Sequence, residues 1–359
     1  MKRIDFYIIK KFLGTFFFAL ALIIAISIVF DLSEKMDDFI DRNASLKTVV
    51  FDYYLNFIPY FANLFSGLFV FISVIFFTSK MAQNSEFIAM LSSGISFRRI
   101  LIPYFIAASI ITAFSFVLGY YVIPSSNKVR LEFQETYMKG SGSHIGAIDM
   151  HRQISPGIYI YIESYNITRN MGNKVTIEKF ENNKLKSKLC ADNMLYDSIT
   201  NKWILQRYFI RNFDGIKESL IYGNRIDTTL RLSPKDFKKK KEIVEAMDHN
   251  ELDAYIADQK LMGTPDVVNS EIEKYSRIST PFSTFILTLI GVSLSSRKRK
   301  GGMGINIGVG ILLSFSYVLF MKFANMFAIN ATFPASFAVW IPNILYALIA
   351  LGLYFQAPK

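Results

Sequence analysis

Residues Phe12 to Phe30 read FLGTFFFALALIIAISIVF, about 19 residues without a charge. A bilayer core holds no water to bind a free peptide group, so a chain crossing it must satisfy its backbone internally, and about 20 apolar residues of helix do so. Five more stretches read the same way, near residues 55–78, 100–123, 278–296, 303–326 and 337–355. Across all six, Lys322 is the only Lys, Arg, Asp or Glu. The first stretch follows a basic start (Lys2, Arg3, Lys10, Lys11), as a signal peptide would. Its apolar run is too long for one, and no small-x-small cleavage pattern precedes the acidic residues after Phe30, so it is expected to stay as a span.

The bulk numbers agree with six spans. Of 359 residues 52% are hydrophobic and 34 are Phe, with a mean hydropathy of +0.29, an excess that must face lipid. Lys and Arg in short loops resist translocation and set orientation. They fall at the N-terminus, in the loop 79–99 (Lys80, Arg98, Arg99) and at Arg297 to Lys300, all on one side of a six-span chain. The other side sets Lys35, Arg42 and Lys47 against Asp31, Glu34, Asp37, Asp38 and Asp41. Both termini are therefore expected in the cytoplasm, with the large insertion between spans three and four outside. The net charge of +11 then requires no nucleic acid, the Lys239 to Lys241 region being read as a solvated face.

From about residue 144 to 232 the pattern becomes short alternating runs broken by Asn, Gly and Asp, the period of antiparallel strands. Gly157 to Tyr165, Lys174 to Phe180, Leu185 to Cys190, Lys202 to Ile210 and Ser219 to Ile226 are the clearest, with turns at Asn182-Asn183 and Asn212 to Gly215. Strands without intervening helices predict an all-β, jelly-roll-like or sandwich domain. Asn250 then caps a helix that Gly263 ends, and a second helix runs from Asp266 into span four, with Pro281 set to kink it. The expected division is 1–123 for spans one to three, 124–277 for the β domain with flanking helices, and 278–359 for spans four to six. A single Cys190 allows no internal disulfide, and His144 and His151 lack a third ligand at metal spacing, so no metal site is expected.

The loop 79–99 is too apolar and periodic for a plain connector. Asn84 or Ser85 is placed to cap a short helix, Glu86 suits its positive end, and Gly94 stops it. On a helical wheel Phe87, Ile88, Leu91 and Ile95 share one side, and Glu86, Ala89 and Ser93 the other. Such an element either lies passively at the bilayer surface or couples the spans to a cytoplasmic partner. No Gly-x-x-x-x-Gly-Lys-Ser/Thr loop exists to hold nucleotide phosphates, so any ATP chemistry must come from another chain.

Several motifs together resemble one family: Ile4-Asp5-Phe-Tyr-Ile8, Pro59, Ser85-Glu86-x-x-x-Met90-x-x-Ser93-Gly94, Val122-Ile-Pro124, Tyr159-Ile-Tyr-Ile-Glu163 and Gly301-Gly-Met303-Gly. They look like the LptF/LptG (YjgP/YjgQ) permeases over essentially the whole chain, the segment after span two being the most specific. The resemblance implies a subunit of an ABC-type extractor of lipopolysaccharide in the bacterial inner membrane. It implies a homologous permease partner (LptF with LptG) or a second copy, and an LptB-like ATPase dimer that holds ATP and Mg. It further implies periplasmic jelly-roll proteins like LptC and LptA that receive the lipid. Ser85, Glu86, Ala89, Met90, Ser93 and Gly94 are carried over as the ATPase-docking segment, and no residue of this chain is catalytic or binds a cofactor.

Lys35 and Lys322 are the candidate contacts for lipid phosphates, by charge-assisted hydrogen bonds, although Lys322 is also placed to snorkel to water. The acids around Lys35 depart from the family's basic outer end of span one. Ile158, Ile160, Ile162 and Leu205 are candidate lining for a lipid groove in the β domain, or simply its core. The competing readings are a secondary transporter or channel without an ATPase, disfavoured by spans that carry almost no ionisable groups, and a membrane-anchored enzyme, for which no nucleophile–base pair stands out.

Overall fold

The structure, a computed structural model, describes residues 3–138, 145–167, 169–215, 217–232, 234–237, 240–264, 266–296 and 302–357. Lys2, His144, Lys239, the basic run Arg297 to Lys300 and Gly301 lie outside the described residues. The chain divides into two compact units: Met1–Arg130 with Glu245–His249 and Val268–Lys359, and Leu131–Val244 with Asn250–Val267.

Among the described residues six helices are long and apolar enough to span a membrane: Arg3–Asp41, Leu46–Gln83, Phe97–Tyr137, Val267–Ser295, Gly304–Ile329 and Ala335–Gln356. Several outrun the apolar stretches that announce them. The second and third contain π-helical turns, Val49–Tyr54 and Leu118–Val122, a few residues before Pro59 and Pro124. A proline lacks its N–H and crowds the carbonyl four residues back, and a widened turn is one way a helix absorbs this. In the second span the Asn56 amide donates to the carbonyls of Phe51 and Asp52 at 3.0 and 3.1 Å, so the loosened backbone stays satisfied. Pro281 sits inside the fourth helix, which continues unbroken from Val267 to Ser295.

The second span is the centre of the bundle. Val70 and Val74 pack into one cluster with Phe12, Phe16, Tyr104 and Ile111 of the first and third spans. Their neighbours Phe71 and Ile75 point the other way, to Leu287, Ile290, Tyr317 and Tyr346 of the last three. Glycines let backbones approach there, as expected where lipid supplies no hydrophobic force between helices. A Cβ on Gly291 would lie 2.8 Å from Val74 Cγ1 and 3.2 Å from Val74 Cβ. Valine in a helix has one strongly preferred rotamer and cannot swing clear. Gly291→Val is therefore expected to cost about 1–3 kcal/mol of bundle stability. A lowered unfolding midpoint in detergent, partly restored by adding Val74→Ala, which removes Cγ1 but keeps Cβ, is the measurement that checks it.

The second unit holds one antiparallel sheet: β1 Ile145–Ser155, β2 Ile158–Asn166, β3 Met171–Glu181, β4 Lys184–Asp197, β5 Lys202–Asp214 and β6 Lys217–Thr228, paired in chain order. The all-β domain expected between spans three and four is thus present. Asn182 and Asn183, both left-handed at φ 49° and 59°, make the β3–β4 turn. The turn placed at Asn212 to Gly215 begins later than expected. Asn212 pairs with both Ser187 and Ser219, and Asp214 pairs with Lys217, because the β5–β6 ladder runs nearly to Gly215.

A meander closes no core unless it bends, and the bend is visible in the side chains. Ile162, Val175 and Ala191 are buried in register, as are Tyr165, Gly172, Met194 and Leu205. Between these rows each strand has two consecutive residues out of the core instead of one: Glu163-Ser164, Asn173-Lys174, Asp192-Asn193 and Gln206-Arg207. Lys174 and Arg207 are left-handed at φ 47° and 48°, and Lys174 pairs with Glu163 at 2.9 Å and Arg207 with Asp192 at 2.8 Å. The alternation slips at the same place on four strands while the pairing between them keeps its register. One sheet is creased along a charged line so that both halves face one core. The two layers of a jelly-roll-like domain are here halves of a single sheet.

That core is closed by the chain beyond β6. Trp203 Nε1 donates to Leu232 O at 2.8 Å, and Phe237 stacks on Tyr165 with ring centroids 3.8 Å apart. Helix His249–Leu261 follows, with Gly263 at φ +63° just past its end.

Candidate functional site

The segment after the second span is a seven-residue helix, Glu86–Ser92. Its exit is a Schellman motif: Gly94 at φ +85° donates to Leu91 O at 3.0 Å and Ile95 donates to Met90 O at 3.2 Å. Its start differs from the expected side-chain cap. Ser85 is left-handed, φ 60°, and its hydroxyl caps nothing, while its carbonyl accepts the Ala89 N–H at 2.9 Å.

Phe87 is fully buried beside the Phe97 ring, and Met90, Leu91 and Ile95 pack partly against the same cluster. Ile88, expected on that side, is 44% exposed. In a helix this short, Phe87 and the close-packed pair Met90 and Leu91 set the rotation, which turns Ile88 outward with Ala89 and Ser93. Glu86 is half-buried. It accepts from Tyr7 Oη at 3.1 Å and from Asn84 Nδ2 at 3.1 Å. Arg3, Ile4, Tyr7, Met81, Glu86 and Met90 line an open pocket of about 340 Å³.

The neighbouring helix ends are tied by charge. Arg99 grips the buried Asp5 carboxylate with two hydrogen bonds of 2.7 Å, the bidentate geometry that a guanidinium makes best. Arg98 Nε donates to Tyr354 Oη at 2.9 Å, reaching the end of the sixth span.

Where the first span ends, Lys35 pairs with Asp31 and the Tyr53 hydroxyl, and its ammonium lies 5.1 Å from the Tyr53 ring centroid. Tyr54 also donates to Asp31. Lys35 is thus a compensated cation. Lys322 is exposed on the fifth span, and no partner for it occurs among the described residues. Ile160, Ile162 and Leu205 are buried in the creased-sheet core with Ile158 at its margin.

One cation escaped the sequence reading. Arg130, 8% exposed on the extension of the third span, lies 4.8 Å over the Tyr60 ring, and its Nε has no hydrogen-bond partner among the described residues. Asn127, one turn earlier, is 1% exposed with both amide atoms unpartnered there. Ile123, Asn127, Arg130 and Phe133 form one buried stripe at helical spacing.

No metal-ligating cluster is found among the described residues. Comparison with individual curated proteins gives no match. The model of the lipopolysaccharide export system permease LptF/LptG family matches residues 6–355, nearly the whole chain, and the chain belongs to that family.

Proposed function

We propose that this chain is the permease subunit of an ATP-driven lipopolysaccharide extractor. A separate ATPase dimer docks on helix Glu86–Ser92 and supplies the energy. Moving an acyl chain from bilayer to water costs about 0.8 kcal/mol per CH₂, so a lipid with several chains requires both an apolar path and an outside source of work. The observation that carries the reading is the seating of the short helix. Phe87 anchors it to the spans, while Ile88, Ala89 and Ser93 are left exposed beside the Glu86 carboxylate.

In this reading both termini and the short helix are cytoplasmic and the creased sheet is periplasmic. The chain pairs with a homologous permease or with a second copy. Lipid leaves along the sheet domain toward LptC- and LptA-like proteins, and ATP and Mg stay on the ATPase. The first and fifth spans bury the smallest shares of their apolar stretches within the chain, which suits helices that face a partner or the lipid.

A photo-crosslinker at position 89 is expected to capture an ATPase subunit from membranes, and the purified assembly to show vanadate-sensitive lipid release. Capture of no ATPase, with ATP-independent release, points instead to a carrier. For the lipid phosphates the strongest candidate is Arg130, because a buried guanidinium whose Nε has no partner among the described residues is costly until an anion meets it. Arg130→Gln is expected to cut lipopolysaccharide crosslinking about tenfold, as for loss of one hydrogen-bonded charge. Lys322 is the weaker candidate, and Lys35 is already engaged by Asp31.

A further inference from the structure

The short helix is fastened to the first span as well as to the two spans that flank it in sequence. Tyr7 reaches across 79 positions of sequence to Glu86. One turn from the start of that helix, Asp5 is clamped by Arg99 at the start of the third span. The same pocket is walled by Arg3, Ile4 and Tyr7 on one side and by Glu86 and Met90 on the other. We propose that Tyr7 is a positioning residue of energy coupling: its hydroxyl holds the Glu86 carboxylate and passes displacement of the docking helix directly into the first span.

The chemistry suits that role. A carboxylate has about four lone-pair directions, and Tyr7 and Asn84 each use one. A cation of the docked ATPase can therefore engage Glu86 without evicting Tyr7. A hydrogen bond to a charged acceptor is stronger than a neutral one, so the phenol follows the carboxylate. The first span buries the smallest share of its apolar stretch against the rest of the chain, and its packing is concentrated on one side, at Ile8, Ile9, Phe12, Phe16 and Leu20. The Asp5–Arg99 clamp keeps its lower end in register with the third span, which turns a pull on Tyr7 into a tilt rather than a slide.

This inference rests on the proposed function, and the test separates the two. The assembly of this chain with its permease partner and ATPase is reconstituted in liposomes containing lipopolysaccharide, and lipid released per ATP hydrolysed is measured. Tyr7→Phe keeps the ring, which lies 6.4 Å from that of Phe77, and removes only the donor. Co-purified ATPase and thermal midpoint are expected to stay as in the wild type, while lipid per ATP falls about tenfold, the scale of one hydrogen bond to a charged group. Asp5→Asn is expected to lower the same ratio, and the exchange Asp5→Arg with Arg99→Asp to recover much of it. A wild-type ratio in Tyr7→Phe overturns the role of Tyr7 and leaves the extractor reading standing. A wild-type assembly without ATPase and without ATP-driven release overturns both.

Discussion

Glu86→Lys is expected to abolish ATP-driven lipid release while the protein still folds and inserts. Glu86 is half-buried between Tyr7 and Asn84, and both donors lose their acceptor when it becomes a cation. Phe87, Leu91 and Ile95 still anchor the helix, so local packing survives. What changes is the sign of the charge beside the exposed face. If the ATPase presents a cation there, as the proposed docking requires, removing one partner of a close charge pair costs about 2–5 kcal/mol, and reversal adds repulsion. ATPase retained on the purified permease should then fall at least about 100-fold, with turnover falling to that of the free ATPase. Glu86→Gln should lie between the two. Unchanged ATPase retention and release in Glu86→Lys would refute the docking assignment.

Trp203→Ala should unfold the sheet domain locally without touching the spans. Trp203 is 1% exposed, packs between Tyr196 and Phe237, and bonds the Leu232 carbonyl. Truncating a buried Trp typically costs about 3–5 kcal/mol, a large part of what a domain this size has to lose. Hydrogen exchange of the full-length protein in detergent would show faster exchange of β2 to β5 amides, with helix amides in the bundle unchanged. Trp203→Phe keeps most of the packing and should cost about 1–3 kcal/mol, because it leaves a buried carbonyl without its donor. Equal protection in wild type and Trp203→Ala would mean that the core does not depend on this closure.

The spans were legible because a chain crossing lipid must satisfy its own backbone, and an uncharged run such as Phe12 to Phe30, without alternation and too long for a signal peptide, reads as a spanning helix. Their ends were not. The first helix continues to Asp41, through acids that would mark a loop in an isolated sequence, and Asp31 is engaged there by Lys35, Tyr53 and Tyr54. The alternation of Ile158, Ile160 and Ile162 disclosed a strand. The crease at Lys174 and Arg207 had no signal, because an L-residue at positive φ is imposed by neighbouring strands. At the candidate site the cap Gly94 and the anchor Phe87 were readable, since both act within one turn. Ile88 was misplaced because seven residues are too few for periodicity to fix a face. Tyr7 with Glu86, Asp5 with Arg99, and Arg130 over Tyr60 join distant segments, and no local pattern encodes such meetings.

The widened turns before Pro59 and Pro124 hold slack in their helices. Each position along an α-helix rotates the chain by about 100°, so taking up one surplus residue swivels everything beyond it by that angle. Tyr60 lies about two turns past one such turn and Arg130 a little more than two past the other. Tightening either would draw the ring and the guanidinium apart and bare the cation, a gear change that breaks no helix and needs no loop to unfold.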